Sequence, residues 1–224
     1  VFSIICLTSI FLTGERSNTI KAILALIIFY SFVDVFSLKE KFISLILITL
    51  IFFIIFINSD FLKMRYTGQL LNKIKSAGGI VNYYYGSNYI NLYRSGIEVF
   101  KKYPYFGTGN KNYGIETCYG KKSKKIWCNS HPHQIYFEFL AEHGIVGSII
   151  ILFIFFKIFF DLLRQINITK NKIQFASFVY ILIVFMPILP GGAFFGDYLL
   201  TLFFINFSLL FCVNKYSNLF YKNN

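Results

Sequence analysis

From Phe42 to Ile57 the chain carries no charged residue, and a run of that length and polarity has few stable places to go. Crossing ~30 Å of hydrocarbon takes about 17–25 residues of apolar helix. Apolar runs recur at about residues 1–13, 19–37, 41–57, 145–161, 174–189 and 198–214. They lack the strict alternation of a barrel strand, and a backbone in lipid must satisfy its own hydrogen bonds. The expected fold is therefore an all-α polytopic membrane protein with about six transmembrane helices. Three helices are assigned to residues 1–57, one large loop with short helices to 58–131, and three helices with a tail to 132–224.

Composition agrees with this reading. Charged residues make up 14% of the 224 residues, against roughly 25% in soluble domains, and they collect between the apolar runs. A net charge of +12 would suit nucleic acid. Basic residues that flank membrane helices instead meet anionic lipid or a phosphorylated ligand, so a nucleic-acid partner is set aside. Val1 lies inside an apolar run without a preceding Met or basic segment, so the chain reads as a fragment rather than as a signal peptide.

The short loops set the orientation. Lys39 and Lys41, then Arg164, Lys170 and Lys172, then Lys215 and Lys222 fall on one side in a six-span reading, which places that side in the cytoplasm. The turn at 14–18, the loop at 58–131 and the turn at 187–197 lie opposite. The long loop is basic, but loops beyond ~60 residues escape the positive-inside rule. Cys118 and Cys128 both fall in it, around the run Lys121–Lys125. On the outer side such a pair forms either a disulfide or two free thiols. Cys6 and Cys212 read as packing residues within spans.

Ionisable groups at a membrane surface are costly and are the first candidates for chemistry. Arg16, in Thr13-Gly-Glu-Arg-Ser17, is either a snorkelling anchor or a phosphate clamp, since a guanidinium binds phosphate oxygens bidentately. Arg94 opens a stretch whose Ile97, Phe100 and Tyr103 suggest a short amphipathic helix on the membrane, with Glu98 one turn away as a salt-bridge partner. The following Gly107-Thr-Gly109 turn is no nucleotide loop, because Asn112 stands where the third Gly is required. His131 and His133 flank Pro132, which suits the first turn of a helix running toward Gly144. The positive end of that helix would disfavour imidazolium, with Glu138 and Glu142 opposing the effect or orienting the ring. A metal reading of Cys128, His131, His133 and His143 matches no common zinc spacing, so no metal is assigned.

Taken in order, Thr13-Gly-Glu-Arg-Ser17, Arg94 with Pro104-Tyr-Phe-Gly-Thr-Gly109, and His131-Pro-His-Gln134 with Leu140-Ala-Glu-His-Gly144 resemble the O-antigen ligase and polymerase family. The resemblance covers nearly the whole chain as the family's C-terminal portion. It implies a bacterial inner-membrane glycosyltransferase with its active site facing the periplasm. Such an enzyme moves a glycan from a polyprenyl diphosphate carrier to lipid A–core or to a growing polysaccharide. No cofactor is implied. Carried over, His133 is the catalytic residue and Arg16 and Arg94 hold the diphosphate, with His131, Gln134 and Glu142 in support. Gln134 replaces the usual Asn, and His143 stands where a small or apolar residue is more usual, which leaves open which His matters. The alternative is a transporter or flippase component that binds the same lipid-linked saccharide, hinted at by Asp34, Pro187 and Pro190.

Overall fold

The computed structural model describes residues 2–33, 37–120, 125–169, 171–187 and 189–213. Asp34, Lys170, Lys215, Lys222 and most of the run 121–125 lie outside them. Regular structure among the described residues is entirely helical. The helices in chain order are α1 (Phe2–Leu12), α2 (Arg16–Phe32), α3 (Leu38–Asn58) and α4 (Asp60–Lys63). A π-helical turn, Met64–Gly68, leads into α5 (Gln69–Ser76), α6 (Ile80–Gly86), α7 (Asn88–Lys102) and α8 (Tyr113–Cys118). The long α9 (Ile135–Thr169), α10 (Lys172–Val184) and α11 (Asp197–Cys212) follow. The chain forms two compact units, Val1–Tyr84 and Tyr85–Asn224.

Two helical stretches are long and apolar enough to cross a membrane, Leu38–Asn58 and Ile135–Arg164. Shorter apolar helices cover Ser3–Leu12, Lys172–Val184 and Asp197–Cys212. In the first unit, α3 starts at a capping box in which Ser37 and Glu40 each bond the other's backbone N–H, at 3.3 and 2.8 Å. None of the α3 side chains is buried in the unit, although almost all are apolar. A helix that is hydrophobic on every side and buried on none has lipid as its natural surrounding. Phe11 of α1 stacks on Phe52 of α3 and on Tyr66 of the π-helical turn, with ring centroids 4.7 and 5.0 Å apart.

The second unit is built around a break in α9. Gly144 has φ +62°, so the element is two helices, 135–143 and 145–169, joined at a left-handed residue. The turn after α7 fills the break. Thr108 and Gly109 donate their N–H groups to the Ala141 and Glu142 carbonyls at 3.0 and 2.8 Å. Ile145 and Val146 donate to the Pro104 and Tyr105 carbonyls at 2.8 and 3.2 Å. The groups that the kink strips of helical partners therefore find new ones in the turn. Glycine is required on both sides: a Cβ on Gly144 would meet the Tyr105 carbonyl oxygen at 2.3 Å, and one on Gly107 the Glu142 backbone at 2.3 Å.

Ser87 caps α7, its side chain accepting the Ile90 N–H. The buried face of α7 is Leu92, Ser95, Gly96 and Val99. Ile97 and Tyr103, on the face expected to lie on the membrane, are exposed; the buried face is the one that meets helix 135–143. There Val99, Tyr113 of α8 and Ala141 form a fully buried cluster. Gly96 permits the approach, because a Cβ there would stand 3.1 Å from Phe137 and 3.3 Å from Pro132. Cys118 and Cys128 are joined in a disulfide. Polar bonds also link α10 to α11, where buried Gln174 donates to the Leu210 carbonyl at 2.8 Å.

Gly144→Ala combines a left-handed backbone with a backbone clash and is expected to lower stability by about 2–4 kcal/mol. Thermal unfolding of the detergent-solubilised protein checks this. Ala at Gly68, which keeps an ordinary helical φ and whose nearest contact is the Met64 sulfur at 3.1 Å, is the milder control.

Candidate active site

The helix 135–143 begins later than its sequence suggests, and that changes what its first residues do. Gln134 is the N-terminal cap: its side-chain carbonyl accepts the N–H groups of Tyr136 and Phe137 at 2.8 and 3.2 Å. Its amide donates to the Pro187 carbonyl at 2.9 Å. Pro132 and His133 therefore precede the helix, because an amide side chain that can satisfy two orphan N–H groups ends the competition for the first turn. Gln134 is buried, and its side chain both caps the helix and bonds Pro187.

His133 sits in an unusual conformation, with φ +58°. Non-glycine residues hold that region at a cost and cluster at functional sites. The surroundings fix it: the His133 carbonyl accepts the Gly191 N–H at 2.9 Å, and its ring meets Tyr89 of α7 edge-on with centroids 6.0 Å apart. His131 lies against it, ring centroids 4.1 Å apart. The His131 Nδ1 is 3.0 Å from the Ser130 hydroxyl, while its Nε2 is buried without a hydrogen-bond partner.

Both imidazoles are held neutral. Burial pushes His133 below its usual value, with a smaller opposing pull from the Gly191 backbone. Burial and the neighbouring His133 push His131 from 6.5 down to about 4. Desolvation, rather than the helix dipole, is thus the leading cause. Glu138 and Glu142 do not orient these rings. Glu138 is buried and accepts the N–H groups of Phe194 and Phe195 at 2.9 and 3.4 Å. Glu142 accepts the Tyr113 N–H at 3.3 Å, and its other oxygen is buried without a partner. His143 packs edge-on against Phe195, with centroids 4.8 Å apart.

Residues 185–187 and 189–196 bond to this region. The Tyr136 hydroxyl donates to the Phe185 carbonyl at 2.6 Å, which joins the bonds made by Gln134, His133 and Glu138. Pro187 thus belongs to a strap over the histidines rather than to a broken helix, and Gly191 and Phe194 lie in the same strap. Sequence reading misses it because its hydrogen bonds run through its own backbone groups, and its Phe rings look like those of any apolar run.

Arg94 projects from α7 and is exposed, its guanidinium 5.9 Å above the Tyr85 ring. Glu98 pairs with Lys101 at 2.9 Å and makes no bridge to Arg94, the alternative that the spacing allowed. The same helix thus carries Arg94 and, through Tyr89, braces His133. With Cys128 in the disulfide, the four-residue metal set loses a member. Among the described residues no group of three His, Cys, Asp or Glu side chains is arranged to hold a metal ion.

In the first unit, Arg16 opens α2 directly after the turn at Gly14 and Glu15, and is partly exposed. Arg65 had drawn no attention in the sequence, where it stands alone in a polar stretch. The structure brings it to that turn, with its guanidinium 3.2 Å from Glu15.

A family model described as O-Antigen ligase matches residues 1–152, a stretch that includes Arg16, Arg94 and His133. No curated protein and no solved structure matches the chain.

Two outcomes are expected here. Glu138→Ala leaves the buried Phe194 N–H and the part-buried Phe195 N–H without their acceptor and should cost about 1–3 kcal/mol, whereas Glu138→Gln retains one acceptor and should cost less, by thermal unfolding. The second concerns pH. The unfolded chain takes up a proton near pH 6.5 that folded His131 refuses until about 4, so stability falls as pH falls through that window. His131→Gln should flatten this part of the profile relative to the parent.

Proposed function

The chain belongs to the O-antigen ligase family, a family of membrane proteins with glycosyltransferase-type activity, and from that premise we propose a specific reaction for it. A glycan passes from a polyprenyl diphosphate carrier to a sugar hydroxyl, either on lipid A–core or on another polysaccharide chain. The observation that carries this reading is His133: a half-buried imidazole whose burial disfavours the charged form, held in a strained backbone conformation beside a helix whose Arg94 makes no ion pair among the described residues.

In the proposed step the acceptor oxygen attacks the anomeric carbon, and the bond from that carbon to the diphosphate oxygen breaks. The bonding electrons leave with the diphosphate, and the hydroxyl proton passes to the His133 ring. Direct displacement inverts the anomeric centre. A diphosphate is a good leaving group by itself, so the chain needs a base and a charge stabiliser more than an acid. A neutral His supplies the first. Arg94 supplies the second, since its guanidinium is always charged and makes no ion pair among the described residues. Arg16 is assigned the same role on its own position at the start of α2. His131, close to neutral His133 and itself difficult to protonate, keeps a second positive charge out of the site.

The reading places the bundle across a bacterial inner membrane in about six spans, with 58–131 and the histidines on the periplasmic face. An oxidising compartment suits the Cys118–Cys128 disulfide.

His133→Ala is expected to reduce transfer by about 10²–10⁴-fold with normal protein level, read as the surface-glycan ladder of a deletion strain complemented with the full-length protein. Undecorated core with accumulated carrier-linked polymer then marks a ligase, and core bearing one repeat unit marks a polymerase. An unchanged ladder would reduce His133 to a structural role. The acid limb of the rate profile should lie below pH 6.5, because the lowered affinity of His133 for a proton keeps the base form populated there.

A further inference from the structure

The turn that presents Arg16 is organised by a residue from a distant part of the first unit. Arg65 lies in the π-helical turn Met64–Gly68. Its guanidinium makes three contacts with three nitrogens: Nε donates to the Gly14 carbonyl at 3.1 Å, one terminal nitrogen to the Gln69 side chain at 3.1 Å, and the other to Glu15 at 3.2 Å. Gly14, with φ +71°, makes room for this, because a Cβ there would stand 2.7 Å from the Arg65 Cγ. Tyr66, next in sequence, braces the same turn: its hydroxyl lies 2.8 Å from the Thr19 hydroxyl and donates to the Phe11 carbonyl at 3.3 Å.

The consequence is a division of labour between two arginines. Glu15 is the carboxylate nearest to Arg16 in the chain, and its recorded cation partner is Arg65. Among the described residues Arg16 itself makes no hydrogen bond or ion pair. Glu15 left unpaired would have two effects on a phosphate site. It would compete for the Arg16 guanidinium, and it would repel the incoming anion. The pair is partly exposed, at 34% and 55% for the two side chains, so its direct contribution to stability is small. Its influence falls on local charge and on the shape of the turn. The three-way geometry needs the arginine fork, which a lysine cannot reproduce. A π-helical insertion, a device common at functional sites, brings Arg65 and Tyr66 to the turn together.

We propose that Arg65 is a positioning residue for recognition of the carrier diphosphate: by engaging Glu15 and the Gly14 carbonyl, it keeps Arg16 free to meet the phosphates. This rests on the diphosphate role assigned to Arg16 above.

The test is a suppression experiment in membranes containing the full-length protein, measuring initial transfer rate against the concentration of polyprenyl diphosphate-linked glycan. Arg65→Ala should raise the carrier KM about tenfold with a smaller change in kcat, and Arg65→Ala combined with Glu15→Gln should return KM to within about threefold of the parent. Rescue by removing a charge is not expected of a merely structural arginine. A double variant no better than Arg65→Ala, with Arg16→Ala inactive, overturns the inference and leaves the diphosphate reading standing. Full transfer by Arg16→Ala removes that reading and the inference with it. If Arg65→Ala fails to accumulate, Arg65→Lys replaces it: the retained charge should hold KM within about fivefold of the parent, and a loss as deep as that of Arg16→Ala overturns the proposal.

Discussion

The second unit depends on one exchange of backbone hydrogen bonds. A left-handed glycine interrupts α9, and the turn Pro104–Gly109 takes over the carbonyls of Ala141 and Glu142 and supplies acceptors for Ile145 and Val146. Buried backbone groups without partners are expensive, so neither the break nor the turn is stable without the other. The exchange fixes where α7 ends relative to helix 135–143. The packing of Val99, Tyr113 and Ala141 follows from that placement, as does the close approach of Gly96 to Pro132.

The histidines inherit their environment from this frame. Pro132 is buried against α7, Gln134 caps the helix, and the strap at 185–196 is tied down by Tyr136, Gln134, His133 and Glu138. The resulting partial burial disfavours the charged form of both imidazoles. In the proposed reaction a base stands next to a strongly anionic ligand, and the anion favours imidazolium. Burial opposes that tendency without any added charge.

Arginines show the complementary strategy. Among the described residues neither Arg94 nor Arg16 pairs with a carboxylate, while Lys101 pairs with Glu98 and Arg65 with Glu15. In both places a second cation removes the local competitor. These exposed pairs contribute little to stability, and their effect is on the charge presented to solvent or ligand.

Several elements could be read directly from the chain. The apolar runs dictated helices, since backbone in lipid has no other way to satisfy itself, and Ser37 with Glu40 spelled a helix start through a purely local bond. Helix α7 was visible near Asn88–Lys102 for the same reason. Its buried face was not, because Ile97 and Tyr103 are as apolar as Leu92 and Val99, and only helix 135–143 decides which side is covered. The candidate residues Arg16, Arg94 and His133 were legible as types at characteristic positions. Their states were not: the partners of Glu15 and Glu98, the cap at Gln134 and the strap over His133 are contacts made across the fold. Local sequence therefore determined that this chain is a helical membrane protein of a glycan-transferring family. Tertiary structure decided which of its charges are neutralised, which are left free and which ring is kept dry, because charge pairing and desolvation depend on neighbours in space.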